Sequence, residues 1–409
     1  MEPSTGTPPN QPIYNIKFSP EQIETLVQRV FPQSKLVSHK QLNSGESFNN
    51  RIYFLTLDHE NNDNLPTTTV LKVIGRCFSN AKIQNEVSTL LQLKKYCPEI
   101  IVPELVAWCE DGKRIHSALT QPNNDDDIIL TTPESHKWIM MSTLPGRKLL
   151  KEDLLGEHSQ TLAAQLADTI NIWRTKMPNI GQIGNFRINS DVLTTKDNCA
   201  TLDIHIEGLL FSETQPTVAV KTQFDYYNHL FGNQINKLNT NDVFTHLRSR
   251  LTAPLEDFQR NKLPSLPFLA EAHGSDAPPC FTHQDFAPRN ILVKETPAGL
   301  QVTGIIDFEF AGMFPQFEEY LNSIARADGD WPEKFWDRLL VELAQRGIKV
   351  PGVGAMSKEA WEQGCDLIVL IESIAPWELD GGHVEGDELK EKLNEVGDKV
   401  GGLLKKLGE

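Results

Sequence analysis

Hydrophobic and polar positions divide this chain into a strand-rich first part and a helix-rich second part. The first folded element is an amphipathic helix in "SPEQIETLVQRVF" (19–31), where Ser19 and Gln22 form a capping box around Pro20. Short β-branched segments with strand character follow it, and one helix interrupts them. The predicted strands lie at 38–58, where two strands flank a polar turn at 43–50, and at 67–75, 103–112 and 136–146, and the interrupting helix lies at 80–97.

Helical periodicity dominates after Pro145-Gly146, most clearly at 157–177. The stretch 190–265 is too weakly periodic for an assignment, and the amphipathic segment 387–409 predicts a terminal helix packed on the second unit. These patterns predict an α+β chain of two units. We expect a disordered tail at 1–18, a strand-rich unit at 19–145 and a helical unit at 146–409.

Composition limits the partners and the compartment. The formal net charge is −16, from 39 Lys and Arg against 55 Asp and Glu, which argues against a broad basic face for nucleic acid. No apolar run is long enough to span a bilayer, and the N-terminus lacks the pattern of a secretory signal. Six cysteines without C-x-x-C spacing favour reduced thiols. We therefore expect a cytoplasmic protein with neither a nucleic-acid nor a membrane partner.

Three polar residues, His283, Asp285 and Asn290, fall within the segment "FTHQDFAPRN" (281–290), between apolar residues on either side. Such a segment is either a turn that happens to be polar or a catalytic loop. The spacing His-x-Asp-x-x-x-x-Asn is typical of kinase catalytic loops, in which the Asp accepts a proton from the acceptor hydroxyl and the Asn binds Mg²⁺. Pro288 stiffens the loop by fixing one φ angle.

A second candidate metal ligand lies at the end of the next predicted hairpin. Asp307 directly follows the apolar Gly304-Ile305-Ile306, and a carboxylate there is costly unless its charge has a partner. Mg²⁺ is such a partner, since it binds carboxylate and amide oxygens together with phosphate. Asn290 and Asp307 therefore form the predicted metal pair. In the alternative interpretation, they belong to a polar hairpin whose carboxylates cap turns.

The first unit contains residues suited to a nucleotide. Lys72 lies inside the apolar strand "VLKVIG", and Glu86 lies on the inward stripe of the following helix, between Ile83 and Leu90. This placement predicts an ion pair, which in kinases directs the lysine to the α- and β-phosphates. Taken alone, a snorkelling lysine and a glutamate at a helix edge explain the pattern equally well.

Two further segments complete the predicted nucleotide site. The turn "LNSGESFNN" (42–50) lies where a loop covers phosphates, although its single glycine makes it no G-x-G-x-x-G loop. The segment "WIMMSTLPG" (138–146) is the predicted hinge on adenine, where methionine provides an adaptable apolar wall. The candidate cofactor contacts are Ser44, Gly45, Ser47, Met141 and Thr143.

With these segments in order, the chain resembles the aminoglycoside phosphotransferase and choline kinase-like family, a branch of the protein-kinase-like fold. The resemblance rests on "VLKVIG", the helix with Glu86, "MMSTLPG", "THQDFAPRNILV" and "GIIDFEFAGMFP". It implies a bilobal fold, with a small strand-rich N-lobe and a larger helical C-lobe, that uses ATP and Mg²⁺ to phosphorylate a hydroxyl of a small molecule. It also implies that Asp285 is the base, that Asn290 and Asp307 are the metal ligands, and that Lys72 and Glu86 anchor the phosphates.

Two departures from the family pattern concern the loop backbone and the substrate. Gln284 stands where many relatives carry glycine, so we expect an altered backbone. After Asp307 the chain reads Phe-Glu-Phe, which is closer to choline-kinase-like members than to protein kinases and argues against protein substrates.

The acceptor itself is indicated only by segments 314–336 and 373–382, which mix carboxylates with aromatic rings. This mixture suits a cationic acceptor, but core aromatics beside a solvated acidic face explain it as well. The residues concerned are Glu318, Glu319, Tyr320, Asp328, Asp330, Trp331, Trp336, Trp377 and Asp380.

Three functions are consistent with this sequence. The first is a small-molecule kinase, the second is a non-catalytic, kinase-shaped binding or regulatory module, and the third is an ATP-using enzyme that transfers another group. The intact set of Lys72, Glu86, Asp285, Asn290 and Asp307 favours the first, because loss of catalysis usually removes at least one such group.

Overall fold

The strand-rich part of the chain is a six-stranded antiparallel sheet with the order β1-β2-β3-β6-β4-β5. β3 lies between β2 and β6, so that Lys72 sits opposite Ile52 on one side and Ile139 on the other. The strands are β1 (Ser34–Gln41), β2 (Asn50–His59), β3 (Thr68–Ile74), β4 (Leu105–Cys109), β5 (His116–Ser117) and β6 (Trp138–Ser142). The computed structural model describes residues 11–59, 65–76, 79–118, 136–188, 204–206, 208–210, 215–216, 218–269, 278–321, 330–351, 356–380 and 384–408.

Helix α1 (Pro20–Val30) begins as the sequence predicts. The Gln22 N–H donates to the Ser19 side chain, and the Ser19 N–H donates to the Gln22 side chain at 2.7 Å. The predicted disordered tail is wrong for residues 11–18, because the apolar residues in it are numerous enough to pack against the first sheet. Ile16 and Phe18 are buried there. Residues 1–10 lie outside the described part of the chain.

The part from 147 onwards combines helices with two small sheets, of order β10-β13-β8-β9 and β12-β11-β7. The strands are β7 (Arg147–Lys148), β8 (Gly184–Ile188), β9 (Ile204–Ile206), β10 (Cys280–Thr282), β11 (Ile291–Thr296), β12 (Gly299–Ile305) and β13 (Gly312–Phe314). The helices are α3 (Lys151–Leu155), α4 (Ser159–Lys176), α5 (Gln223–Thr240), α6 (Thr245–Asn261), α7 (Glu333–Gln345), α8 (Lys358–Ile374), α9 (Trp377–Asp380) and α10 (Gly386–Gly408). Sequence periodicity left α5 and α6 unassigned.

Helix α2 (Asn80–Tyr96) joins the two parts of the chain. Its residues Ile83 and Val87 pack beneath the first sheet, whereas Leu90 and Leu93 belong to the large core of the helical part. The helix is therefore buried around most of its circumference, and even polar positions on it are enclosed. Among the described residues, no helix is long and apolar enough to cross a membrane.

Candidate active site

The loop that holds His283 leaves β10 and ends in a 3₁₀ turn (Pro288–Asn290) before β11. The His283 ring is fully buried, with Nε2 3.0 Å from the carbonyl oxygen of Ile306 and Nδ1 accepting the Asp285 N–H at 3.3 Å. Burial lowers the pKa of His283 to about 4. The ring is therefore neutral at physiological pH, and it ties this loop to the segment just before the predicted metal ligand.

Two non-glycine residues of the site have left-handed backbone. The φ angle is +68° at Gln284 and +69° at Asp307. Gln284 thus adopts the conformation that glycine favours, at a cost of about 1–2 kcal/mol for an L-residue. The two strained residues are Asp307 itself and the neighbour of Asp285, so the backbone strain is concentrated at the two carboxylates.

The Asp285 carboxylate is held from both sides. Asn290 Nδ2 donates to Asp285 Oδ2 at 2.8 Å, and Arg289 forms an ion pair with Oδ1. The same guanidinium donates to Asp330 Oδ2 at 2.9 Å. Burial, followed by repulsion from Asp307, raises the pKa of Asp285 to about 6. A carboxylate with this pKa is ionised at neutral pH and still basic enough to accept a proton.

Lys72 lies at the centre of a cluster of carboxylates that come from both parts of the chain. Its Nζ is 2.7 Å from Glu86 Oε2, 2.6 Å from Asp307 Oδ1 and 2.7 Å from Glu309 Oε2. The predicted pairing of Lys72 with Glu86 is therefore present, and it extends to Asp307, which follows β12. Lys72 and Glu86 are both buried, which removes the snorkelling alternative.

The charges in this cluster shift one another's pKa values. Burial alone would lower the pKa of Lys72, but Asp307, Glu309 and Glu86 together raise it well above its ordinary value. Burial, opposed by Lys72 and reinforced by repulsion from Asp307 and Glu309, raises the pKa of Glu86 to about 7. Burial and Glu309 likewise raise the pKa of Asp307. Lys72 is thus shared by three carboxylates, and even with Lys82 beside Glu309 the cluster has one more carboxylate than ammonium groups, which leaves a demand for further positive charge.

Glu309 is a site residue that sequence reasoning missed. It accepts from Lys72, Lys82, Asn49 and Asn50, at distances from 2.7 to 3.2 Å. Burial alone would raise the pKa of Glu309, but Lys72 and Lys82 lower it below its ordinary value. The Phe-Glu-Phe sequence was noted as a departure from the protein-kinase pattern, but only the fold reveals what the glutamate contacts.

Asn85, the neighbour of Glu86 on α2, was also missed. Its Nδ2 donates to the carbonyl oxygens of Glu309 and Ala311 at 3.0 and 2.9 Å, and its Oδ1 accepts the Phe186 N–H at 2.7 Å. The side chain is fully buried. It therefore fastens α2 to β8 and to the chain after Asp307.

The predicted phosphate-covering turn contains a short 3₁₀ turn, Ser44–Glu46. A Cβ atom at Gly45 would meet nothing within 4 Å, so packing does not demand glycine there. Ser47 Oγ donates to the Asn50 carbonyl oxygen at 2.6 Å, which shapes the turn internally. Phe48 is exposed and lies edge-on to Trp377 of α9, with ring centroids 5.6 Å apart.

The predicted hinge residues lie at the end of β6 and just after it. Met141 is buried and pairs with Val70 of β3 and Leu105 of β4. Thr143 Oγ1 lies 2.5 Å from Thr68 Oγ1. This places both residues at the edge of the segment that connects the first sheet to β7.

Two of the carboxylates proposed for a cationic acceptor, Glu318 and Glu319, point inward, whereas the side chains of Asp330 and Asp380 are 43% and 37% exposed. Glu318 accepts from the hydroxyls of Tyr226 and Tyr227, and Glu319 accepts the His283 N–H at 2.8 Å. Both are fully buried, so they serve neither as an open cation site nor as a solvated face. Tyr320 and Trp331 are likewise buried in the core, whereas Trp377 is exposed and Trp336 only partly buried, and Asp328 lies outside the described residues.

The donor set can accept a divalent cation. Glu86, Asp307 and Glu309 each offer a carboxylate oxygen, and these oxygens lie within 4.8 Å of one another. Asn290 uses Nδ2 for both of its bonds to Asp285, which leaves its amide oxygen as a ligand atom. Carboxylate and amide oxygens are the ligands that Mg²⁺ prefers, and the excess of negative charge around Lys72 fits a cation.

A strand-rich sheet joined to a helical part, with a lysine–glutamate pair facing a His-x-Asp loop, defines the bilobal protein-kinase-like fold. Residues 39–357 match the family described as phosphotransferase enzyme family, and the chain belongs to this family. No curated protein sequence matches the chain significantly.

Solved structures support the same fold at low sequence identity. An ADP-bound aminoglycoside phosphotransferase, APH(2'')-Ib, matches with a TM-score of 0.55 and 14% identity, over 95% of this chain and 99% of the other. The gentamicin complex of APH(2'')-IIa matches with a TM-score of 0.56 and 15% identity, over 94% and 96%. Ethanolamine kinase from Plasmodium vivax matches with a TM-score of 0.50 and 10% identity, over 94% and 91%.

Proposed function

We propose that this chain is a small-molecule kinase that transfers the γ-phosphoryl group of ATP to a hydroxyl. The observation that carries the proposal is the 2.6 Å contact between Lys72 of β3 and Asp307, next to the hydrogen-bonded pair of Asp285 and Asn290. Groups that would serve a triphosphate, a metal and an acceptor hydroxyl thus lie close together. The ADP bound to one structural neighbour supports a nucleotide as the phosphoryl donor.

On the donor side, Lys72 would bind oxygens of the α- and β-phosphates while Glu86 fixes the position of its ammonium group. Asp307 and the amide oxygen of Asn290 would hold Mg²⁺, which when bound neutralises charge on the phosphates. Ser44, Gly45 and Ser47 would cover the phosphates with backbone N–H groups. Met141 and Thr143 would contact adenine.

On the acceptor side, Asp285 would accept the hydroxyl proton. The acceptor oxygen forms a bond to the γ-phosphorus while the bond from that phosphorus to the bridging oxygen breaks, and ADP leaves with the electron pair. Asn290 and Arg289 hold the Asp285 carboxylate in one orientation, so that its contribution is alignment together with proton transfer.

The acceptor would be a hydroxylated small molecule that carries an amino group. The carboxylate of Asp330, which is 43% exposed and paired with Arg289, and the exposed ring of Trp377 are each of a type that suits a cation. The gentamicin and ethanolamine named for the structural neighbours are amino-bearing molecules, which supports the same class. We place the protein in the cytoplasm, where ATP is available.

The proposal is tested with purified protein, Mg-ATP and a panel of hydroxylated small molecules, with ADP release and product mass as readouts. Asp285→Ala should abolish transfer and change Mg-ATP affinity by less than about threefold, because this side chain faces the acceptor. Asp307→Ala should remove the Mg²⁺ dependence of nucleotide binding in calorimetry. Full turnover by Asp285→Ala would refute the assigned base, and a wild-type protein that binds Mg-ATP but never turns over would favour a regulatory module.

A further inference from the structure

The carboxylate of Glu309 is fully committed to protein donors. Lys82 Nζ and Asn49 Nδ2 lie 3.0 and 3.2 Å from Oε1, and Lys72 Nζ and Asn50 Nδ2 each lie 2.7 Å from Oε2. A carboxylate has about four lone-pair sites, and here four donors use them. Glu309 therefore differs from Asp307, whose carboxylate contacts Lys72 alone among the described side chains and is 29% exposed.

Lys72 cannot maintain its ion pairs with all three carboxylates while it binds the phosphates of a nucleotide. If the proposed function holds, its ammonium turns toward phosphate oxygens and Asp307 turns toward the metal. Glu309 then loses one of its two cations while it remains buried at 1% exposure. A buried carboxylate without a counterion is strongly unfavourable, so Glu309 would hold Lys72 back unless another cation stayed in place.

Lys82 is placed to be that cation. It lies on α2 one turn before Glu86, its side chain is 1% exposed, and its Nζ also donates to Asn50 Oδ1 at 3.2 Å. The same ammonium lies 5.3 Å from the centroid of the Phe310 ring, a cation–π distance. No phosphate or metal role is needed to explain its burial, because it faces Glu309 directly.

Glu309 also connects two segments of the proposed site. Asn49 and Asn50 form the end of the phosphate-covering turn and the start of β2, whereas Glu309 follows Asp307 by two residues. The hydrogen bonds from both asparagines to Glu309 therefore set the distance between the turn and the metal-binding segment.

We propose that Lys82 and Glu309 are positioning residues: Lys82 remains the counterion of Glu309 and thereby releases Lys72 to the nucleotide, while Glu309 holds the phosphate-covering turn against the metal-binding segment. This inference rests on the proposed function, since it assigns Lys72 to phosphates. It also distinguishes Glu309 from the metal ligands, although its oxygens lie close to theirs.

The test is a double-mutant cycle of Lys82→Met and Glu309→Gln, with the affinity for Mg²⁺ and a non-hydrolysable ATP analogue measured by calorimetry. Lys82→Met should weaken binding about tenfold or more, because Lys72 becomes the sole counterion of Glu309. In the Glu309→Gln background the same substitution should change affinity by less than about threefold, because no charge remains to hold Lys72. Lys94→Met is the matched control, since Lys94 lies on the same helix with its side chain 68% exposed and should bind as wild type.

Three results would overturn the inference or its basis, and each is distinct. Additive effects of the two substitutions would refute the counterion role while leaving the proposed function intact. Loss of the Mg²⁺ dependence of nucleotide binding in Glu309→Gln, with the affinity for the metal-free ATP analogue unchanged, would assign Glu309 to the metal instead. Absence of nucleotide binding by the wild-type protein would refute the proposed function itself. If Lys82→Met alone does not fold, the comparison of Glu309→Gln with the double variant still decides, because a further tenfold loss of affinity in the double variant would refute the counterion role.

Discussion

Asn85→Ala should destabilise the protein far more than the loss of a small polar side chain suggests. Asn85 gives the Phe186 N–H, the Glu309 carbonyl and the Ala311 carbonyl a partner inside the core. The Ala311 carbonyl keeps a second donor, Asn185 Nδ2 at 3.1 Å. The substitution therefore removes the partner of two buried backbone groups and leaves a small cavity.

The expected loss follows from these two groups. A buried donor or acceptor without a partner costs about 1–3 kcal/mol, so the pair costs about 2–6 kcal/mol before any relaxation. Entry of a water molecule would reduce this, and we expect a loss near 3–4 kcal/mol in the free energy of unfolding, roughly a third of the stability of an ordinary domain.

Urea unfolding followed by tryptophan fluorescence measures this loss, with the m-value as the check on two-state behaviour. Asn236→Ala on α5 is the control, because Asn236 is exposed and the change should stay within about 0.5 kcal/mol. Asn85→Asp should be at least as damaging as Asn85→Ala, since it presents a carboxylate to two carbonyl oxygens. A loss below about 1 kcal/mol for Asn85→Ala would refute the view that this side chain fastens α2 to the helical part.

Two further predictions concern the loop with Asp285. The pKa of buried His283 falls from 6.5 to about 4, so the unfolded chain binds a proton that the folded chain does not. Stability should therefore decrease by up to about 3 kcal/mol as the pH drops from 6.5 towards 4. The variant His283→Gln, compared with the wild type by urea unfolding at each pH, should lack this part of the loss. Parallel pH profiles of the two proteins would contradict the prediction. Arg289→Ala should lower kcat about tenfold, because the guanidinium orients Asp285. It should change stability by less than about 1 kcal/mol, because the Arg289 side chain is 53% exposed. An unchanged kcat, measured with an acceptor found by the screen, would argue against the orienting role.

The site residues that sequence predicted are those whose spacing is set by one local segment. His283, Asp285 and Asn290 belong to a single loop, and a loop with that spacing can place its polar groups in few ways. Asp307 was inferred because a carboxylate that ends an apolar strand needs a partner. Lys72 and Glu86 were inferred from inward-facing positions on a strand and on the helix that follows it. Consecutive elements usually pack against each other, so this pairing depends on residues that are close in sequence.

Tertiary structure alone decided which partners these residues have. Glu309 meets Asn50 and Lys82 across more than 200 residues of sequence, and Asn85 meets the chain after Glu309 across a similar separation. Periodicity shows that such a side chain faces inward, but it carries no information on what it faces.

The acidic segment after β13 makes the same point. Composition allowed a cation site or a solvated face at Glu318 and Glu319, and the fold instead buries both against hydroxyl and amide donors. Sequence by itself thus determined the fold class and the chemical types in the site, because these depend on local pattern. The position of each charged side chain relative to the others depends on contacts between distant segments of the chain. Its partner and its pKa therefore follow only from the tertiary structure.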